Sequence, residues 1–402
     1  MDFPLDYARS RFPTLSSSNT IAFNNLEEAH ALEDTNNPRS DDDGDVEELL
    51  RETRESLAFF LNSNAEWAED EIFIVNDINK LSEKLSFALA TGLEPGSSIV
   101  TTDYDDAISL QPWHALSTKG FEVQHCALTK QDAVADTTHL ESTFSKKTGI
   151  VVMSKASASV GSIVELLPVA RRVKELKSTL VVNWSSFLPH GPLDVRFLRS
   201  DFVLASTRMF FGADVGFLWG NRERIRELRR SVPNIFNGTS VKPEGLLRLR
   251  QALQYVEEVG GLSQEMQLQP SEDYGRRGDM RRGMQAIRHY ERTLTDLMLR
   301  RLANVPRATV FGISHAEAAA HRIPHVMFYI QGYNSMKLAE ILREEGVRIL
   351  GEKSEIPVFL KSIGFSDDGG VLCASLLHYN SESEIERFIE VLNSVAPALS
   401  AI

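Results

Sequence analysis

The feature that most limits how this chain can fold is a series of short apolar runs set apart by amphipathic stretches. Ile72 to Val75, Ser98 to Thr101, Gly149 to Met153, Leu180 to Val182, Phe202 to Leu204 and Gly216 to Trp219 are short, and several are rich in β-branched residues. Continuous apolar runs of this length, without every-other-residue alternation, suit strands buried on both faces. Phe121-Glu122-Val123 reads as a further strand, and Leu81 to Leu93, closed by Pro95-Gly96, as a helix. Strands alternating with helices in this way predict a mostly parallel sheet with helices on both faces.

After Pro243 the pattern is helical through about Leu302. It then returns to short strands at Thr309 to Phe311, His325 to Ile330 and Val371 to Leu376. The expected organisation is an N-terminal segment (1–45) packing with a small domain, a large α/β domain (46–255) and a smaller α+β domain (256–402). A length of 402 residues is enough for two cores. The stretch from about Glu33 to Asp45 is acidic and polar, and reads as a solvated or mobile loop.

The net charge of −13 disfavours a phosphate backbone, so nucleic acid is not an expected partner. Two cysteines, Cys126 and Cys373, rule out a disulfide framework, and no cysteine–histidine cluster has metal spacing. No apolar run approaches the roughly 20 residues of a membrane span. No leader peptide is expected from the opening residues, and a cytoplasmic protein is expected.

Several segments, in order along nearly the whole chain, carry a resemblance. They are Arg11-Phe12-Pro13 with Ile21 to Asn25; Pro95 to Val100; Pro112-Trp113; Asn183 to Val195, containing Pro189-His190-Gly191-Pro192; Asp201 to Gly216, containing Phe210-Phe211-Gly212; Gly238-Thr239 with Glu244-Gly245; and His378-Tyr379-Asn380 with Glu384-Ile385. The chain thereby resembles the class V aminotransferases and cysteine desulfurases. That resemblance implies a seven-stranded, mostly parallel sheet sandwiched by helices, a small C-terminal domain, a dimer, and pyridoxal phosphate held between the two domains.

At the positions that carry the family's chemistry, the sequence departs from its pattern. Where the family has the lysine that forms the aldimine, this chain has Met209, and a thioether cannot form an imine. The aspartate that holds the pyridinium nitrogen is matched by Asn183, which lacks the charge. Ile78 stands for a threonine that helps bind phosphate, Cys373 for the arginine that clamps the substrate carboxylate, and Ala158 for an asparagine. The ring-stacking histidine is matched by Tyr104 or Asp106. Ser206, Thr239 and His190 persist. Covalent pyridoxal phosphate is therefore not expected, and no other cofactor is implied.

The altered cavity would be lined by Tyr104, Asp106, Lys155, Asn183, Trp184, Ser186, Arg208, Met209 and Cys373, with His190, Ser206 and Thr239 nearby. Asp106 or Tyr104 could supply acid–base catalysis if buried, or could simply sit in a solvated acidic loop. Lys155 and Arg208 could bind a carboxylate or phosphate, or could be solvated; a desolvated Lys155 could also act as a base or alternative imine former. Cys373 lies in an apolar strand with no partner pattern and reads more readily as an inert buried thiol than as a nucleophile.

Three functions compete. The first is a repurposed enzyme, independent of pyridoxal phosphate, that acts on a small molecule, anionic or neutral, by cyclisation, isomerisation, elimination or condensation. The second is a non-catalytic homologue that stabilises or regulates an active relative in a heterodimer. The third is a protein that still holds the cofactor non-covalently. A homodimer is the default assembly, and no membrane partner is expected.

Overall fold

The computed structural model describes residues 3–16, 20–33, 46–102, 107–126, 143–236, 241–265, 275–315, 317–352, 360, 365 and 369–399. The acidic stretch 34–45, Tyr104, Asp106 and Gly238-Thr239 lie outside the described residues.

Seven strands build the large sheet: β2 (Ile72–Val75), β3 (Ser98–Thr102), β4 (Glu122–Cys126), β5 (Thr148–Ser154), β6 (Thr179–Asn183), β7 (Phe202–Ser206) and β8 (Gly216–Gly220), with β1 (Ile21–Phe23) preceding them elsewhere. Their order is β2-β8-β7-β6-β5-β3-β4. Strands β4, β3, β5, β6 and β7 run parallel, and β8 is antiparallel to both β7 and β2. The sheet is mostly parallel, as the continuous apolar runs predict, because helices cover both faces and leave no wet side for polar alternation. One face packs into a core around Val151, Val182 and Val203; the other packs into a core around Ile150, Val181 and Leu204. Alternate residues of the same strand thus feed different cores.

A second sheet holds β1, β9 (Ala308–Val310), β10 (His325–Ile330), β11 (Val347–Glu352) and β12 (Val371–Ser375), in the order β1-β11-β12-β10-β9. The chain start joins this sheet: Ile21, Ala22 and Phe23 pair in parallel with Val347, Arg348 and Ile349.

Helices Pro243–Glu265 and Arg276–Leu302 tie the two sheets together. They touch through glycines: a Cβ on Gly283 would lie 2.1 Å from the Val256 carbonyl, so only hydrogen fits there. The second of these helices gives Met280, Met284 and Ile287 to one core and Leu294, Met298 and Leu302 to the other. Glu291 falls at the changeover and is completely buried.

Candidate functional site

A cavity of about 320 Å³ opens where β6 and β7 end. Its apolar wall is Val152, Val181 and Leu204 from the sheet, with Leu110 and Trp113 from helix Ala107–His114. The polar lining is mostly hydroxyl: Ser82, Ser109, Ser185, Ser186 and Ser206, joined by Asn79 and Asn183. Among the described residues lining it, Arg208 is the only charged side chain, and none is a lysine.

The strand ends are locked by Ser185. Its backbone N–H and its hydroxyl both donate to Asn183 Oδ1, at 3.0 and 2.7 Å, and the hydroxyl oxygen accepts from Ser206 N at 2.9 Å. A backbone N–H can only donate, which fixes the orientation of the Asn183 amide. Its oxygen is consumed, and its NH₂ group makes no hydrogen bond among the described residues. Asn183 therefore offers the cavity donors, not an anionic acceptor.

The loop after β7 is held by Thr207, whose hydroxyl donates to Val215 O at 2.7 Å and accepts from Val215 N at 3.0 Å. Phe210 and Phe211 are buried beyond it, stacked 4.7 Å apart, and Phe211 meets Phe12, Tyr255 and His378 edge-on. These anchors leave Arg208 and Met209 turned to the cavity rim.

On the opposite wall, helix Ile78–Ala90 begins at the cavity. Helix N-termini attract anions through unpaired N–H groups. Here Asp77 Oδ1 already accepts from Asn79 N at 3.0 Å and Lys80 N at 3.2 Å. Ile78 fills the space over Gly216, where an added Cβ would come within 2.5 Å of it. The first-turn donors are occupied by a carboxylate, which would repel a second anion.

Of the sequence-selected residues, the structure brings Asn183, Ser186, Ser206, Arg208 and Met209 together on this cavity. Tyr104, Asp106 and Thr239 are outside the described residues. Four others sit elsewhere. Trp184 follows Asn183 and so points to the other face of the sheet, buried against Phe187 in the opposite core. Lys155 lies on that side too: its Nζ donates to Val164 O at 2.7 Å and sits 5.6 Å from the Phe187 ring centre. Burial lowers the Lys155 pKa, with Arg288 adding to the effect and Glu165 opposing it.

Cys373 is buried in β12 opposite Met327, its Sγ 3.7 Å from Ser159 O, away from the cavity. His190 is fully buried at the seam between the domains, its Nδ1 2.9 Å from Glu291 Oε2. Burial drives His190 well down and Glu291 well up, so the contact joins two neutral groups sharing one proton.

Arg322, also fully buried, donates to the carbonyls of Ile313 at 2.5 Å, Val160 at 2.7 Å and His325 at 2.7 Å. His325 Nδ1 donates to Ala158 O at 2.8 Å. Sequence reasoning did not single out Ser185, Asn79 or Ser82 at the cavity, nor Arg322 and Glu291 at the seam. Asp77 before an apolar helix was a legible N-cap signal, and Ser82, four residues after Ile78, shares its helix face.

Comparison with known proteins decides the family. The sequence model described as aminotransferase class-V matches residues 27–263 and 279–388. The chain belongs to the class V aminotransferase family. Among relatives, it is 25% identical over 332 residues to the aminotransferase-like protein FGM3 of Gibberella zeae, covering 81% of this chain and 79% of that protein. It is 21% identical over 373 residues to a cysteine desulfurase of Serratia proteamaculans, covering 87% and 83%.

Among solved structures, the apo cysteine desulfurase of Thermococcus onnurineus matches with a TM-score of 0.79 at 18% identity, over 99% of both chains. The cysteine desulfurase CsdA of Escherichia coli matches with a TM-score of 0.76 at 18% identity, over the full length of both. These likenesses show the fold.

Class V aminotransferases ordinarily work with pyridoxal phosphate. Among the described residues lining this member's cavity, none can hold that cofactor covalently. There is no amine among the described lining residues, Asn183 presents donors where a protonated ring nitrogen needs an acceptor, and the first helical turn is capped by Asp77.

Proposed function

We propose that this class V aminotransferase homologue holds a small molecule in the cavity without covalently bound pyridoxal phosphate. The observation that carries the reading is an open, hydroxyl-lined cavity whose one charged described residue is Arg208 and whose lining holds no lysine. A fitting ligand has one acidic group for Arg208 and a flat or apolar body for Leu110, Trp113 and Leu204.

If the chain is an enzyme, its chemistry is an acid–base rearrangement, an elimination or a cyclisation. The proton transfers then fall to Asp106 or Tyr104, which chain order puts between β3 and the helix that supplies Ser109 and Leu110. Lys155 has no part in it, because its ammonium is engaged on the far face of the sheet. An open cavity weighs against a purely non-catalytic partner role. A homodimer is the assembly we propose from the family resemblance.

The test is an absorbance spectrum after incubation with excess pyridoxal phosphate, borohydride treatment and desalting. The wild type is expected to stay colourless, and Met209→Lys to gain a band that borohydride fixes. A trapped band in the wild type would overturn the proposal. A screen of aromatic and aliphatic carboxylates by thermal shift, repeated with Arg208→Ala, then tests the ligand class; stabilisation that survives the substitution argues against Arg208 as the anion contact.

A further inference from the structure

The large sheet has a second concavity, at the edge opposite the cavity described above. It lies where β6 and β7 begin and β8 ends, and its volume is about 780 Å³. The ends of a five-residue strand are separated by about 15 Å, so the two spaces are distinct. No residue lines both. In open α/β sheets, ligands ordinarily bind at the carboxyl ends of strands, so the family's own chemistry does not account for this edge.

Besides Arg224, four cations line it: Lys174 and Lys177 at the end of helix Leu166–Glu175, and Arg196 and Arg199 in and after the turn Val195–Leu198. None of the four makes an ion pair among the described residues. The acids nearby are mostly engaged. Asp201 accepts from Leu180 N and from Arg224 Nε, both at 2.8 Å, and Glu227 accepts from Arg224 at 3.1 Å. Glu71 is buried and accepts from Ser63 Oγ at 2.8 Å and Trp219 Nε1 at 3.2 Å. Only Glu223 at the rim has no such partner.

In a chain of net charge −13, a lining of five cations and four acids, Glu71, Asp201, Glu223 and Glu227, is a local reversal of sign. One further observation points to a ligand. Ser200, which lines the same space, has a buried hydroxyl with no hydrogen-bond partner. The remaining wall is aromatic and apolar, with Trp67, Trp219 and Val173.

We propose that this edge is a second binding site, for a small organic anion with two or more acidic groups, either phosphates or carboxylates, on a compact body. Lys174, Lys177, Arg196 and Arg199 take the acidic groups, Ser200 gives a hydrogen bond, and the body rests against Trp67.

Two of the chain's four tryptophans line the site, so intrinsic fluorescence reports on it. The full chain would be titrated with pyrophosphate, with citrate and with adenosine diphosphate, and affinities checked by calorimetry. Saturable binding of at least one probe is expected, weakened about tenfold or more by Lys177→Glu combined with Arg199→Glu. Because both positions are exposed, circular dichroism should show the double variant folded; if it is not, Arg196→Ala with Lys174→Ala replaces it. Arg208→Ala, at the other cavity, should leave the affinity unchanged. The preferred probe separates a phosphate ligand from a carboxylate one. Absence of saturable binding, binding indifferent to the charge reversals, or binding lost with Arg208→Ala would each overturn the proposal.

Discussion

At the cavity, hydroxyls and amides stand mostly on half-buried positions around one charged rim residue, Arg208. At the seam between the domains, His190, Glu291, Arg322 and His325 are fully buried. The two regions use polar groups for different ends. The seam's groups are bonded to one another or to backbone carbonyls, so removing one leaves a buried partner unsatisfied and is costly. The cavity's groups are held through one bridging serine and leave donors facing open space. A polar group held by fewer contacts costs less stability when it changes.

That contrast gives a ranked set of outcomes. Arg322→Met strips the Ile313, Val160 and His325 carbonyls of a buried partner, and should cost about 4 kcal/mol in urea unfolding. A loss near zero would mean the seam is as permissive as the cavity. Glu291→Ala leaves His190 Nδ1 unpaired and should cost about 3 kcal/mol, whereas Glu291→Gln, which can keep one hydrogen bond, should cost about 1 kcal/mol.

Acidity should act on the seam next. His325 and His378 are held down to about 3 in the folded chain from an ordinary 6.5, chiefly by burial. The unfolded chain binds those protons first. Stability is therefore full above about 6.5 and falls as pH drops toward 3, by up to about 1.4 kcal/mol per pH unit for each histidine. Glu291 acts with the opposite sign: its raised pKa makes the folded chain hold the extra proton, so stability falls as pH rises above its ordinary 4.5 toward the raised value. Urea midpoints across pH 4 to 8 should show the acid-side loss, and His378→Gln should reduce its slope.

At the cavity the effects should be smaller. Ser185→Ala removes the bridge between Asn183 and Ser206 and should cost about 1 kcal/mol. Arg208→Ala should change stability by less than about 0.5 kcal/mol while abolishing ligand stabilisation. A large loss of stability there would erase the distinction between the regions.

Much of the fold was legible. The apolar runs at Ile72, Ile99, Ile150, Leu180, Phe202 and Gly216 became strands of one mostly parallel sheet, because runs buried on both faces have a composition of their own. Part of the cavity was legible through motif position alone, as Asn183, Ser186, Ser206, Arg208 and Met209 show. Proximity in sequence misled at Trp184 and Lys155, since the residue next to one facing the cavity along a strand faces the other way.

The sequence by itself determined the layered α/β architecture, the family, and the absence of an amine at Met209, since all three reside in residue type and order. Only the tertiary structure decided which of the chemically suggestive residues share a space. It set His190 against Glu291, 101 positions away in the chain, and His325 against Ala158, 167 positions away. It also gathered five cations at the far edge of the sheet. Contacts between residues so distant in sequence depend on how the two domains pack, and local pattern carries no record of that packing.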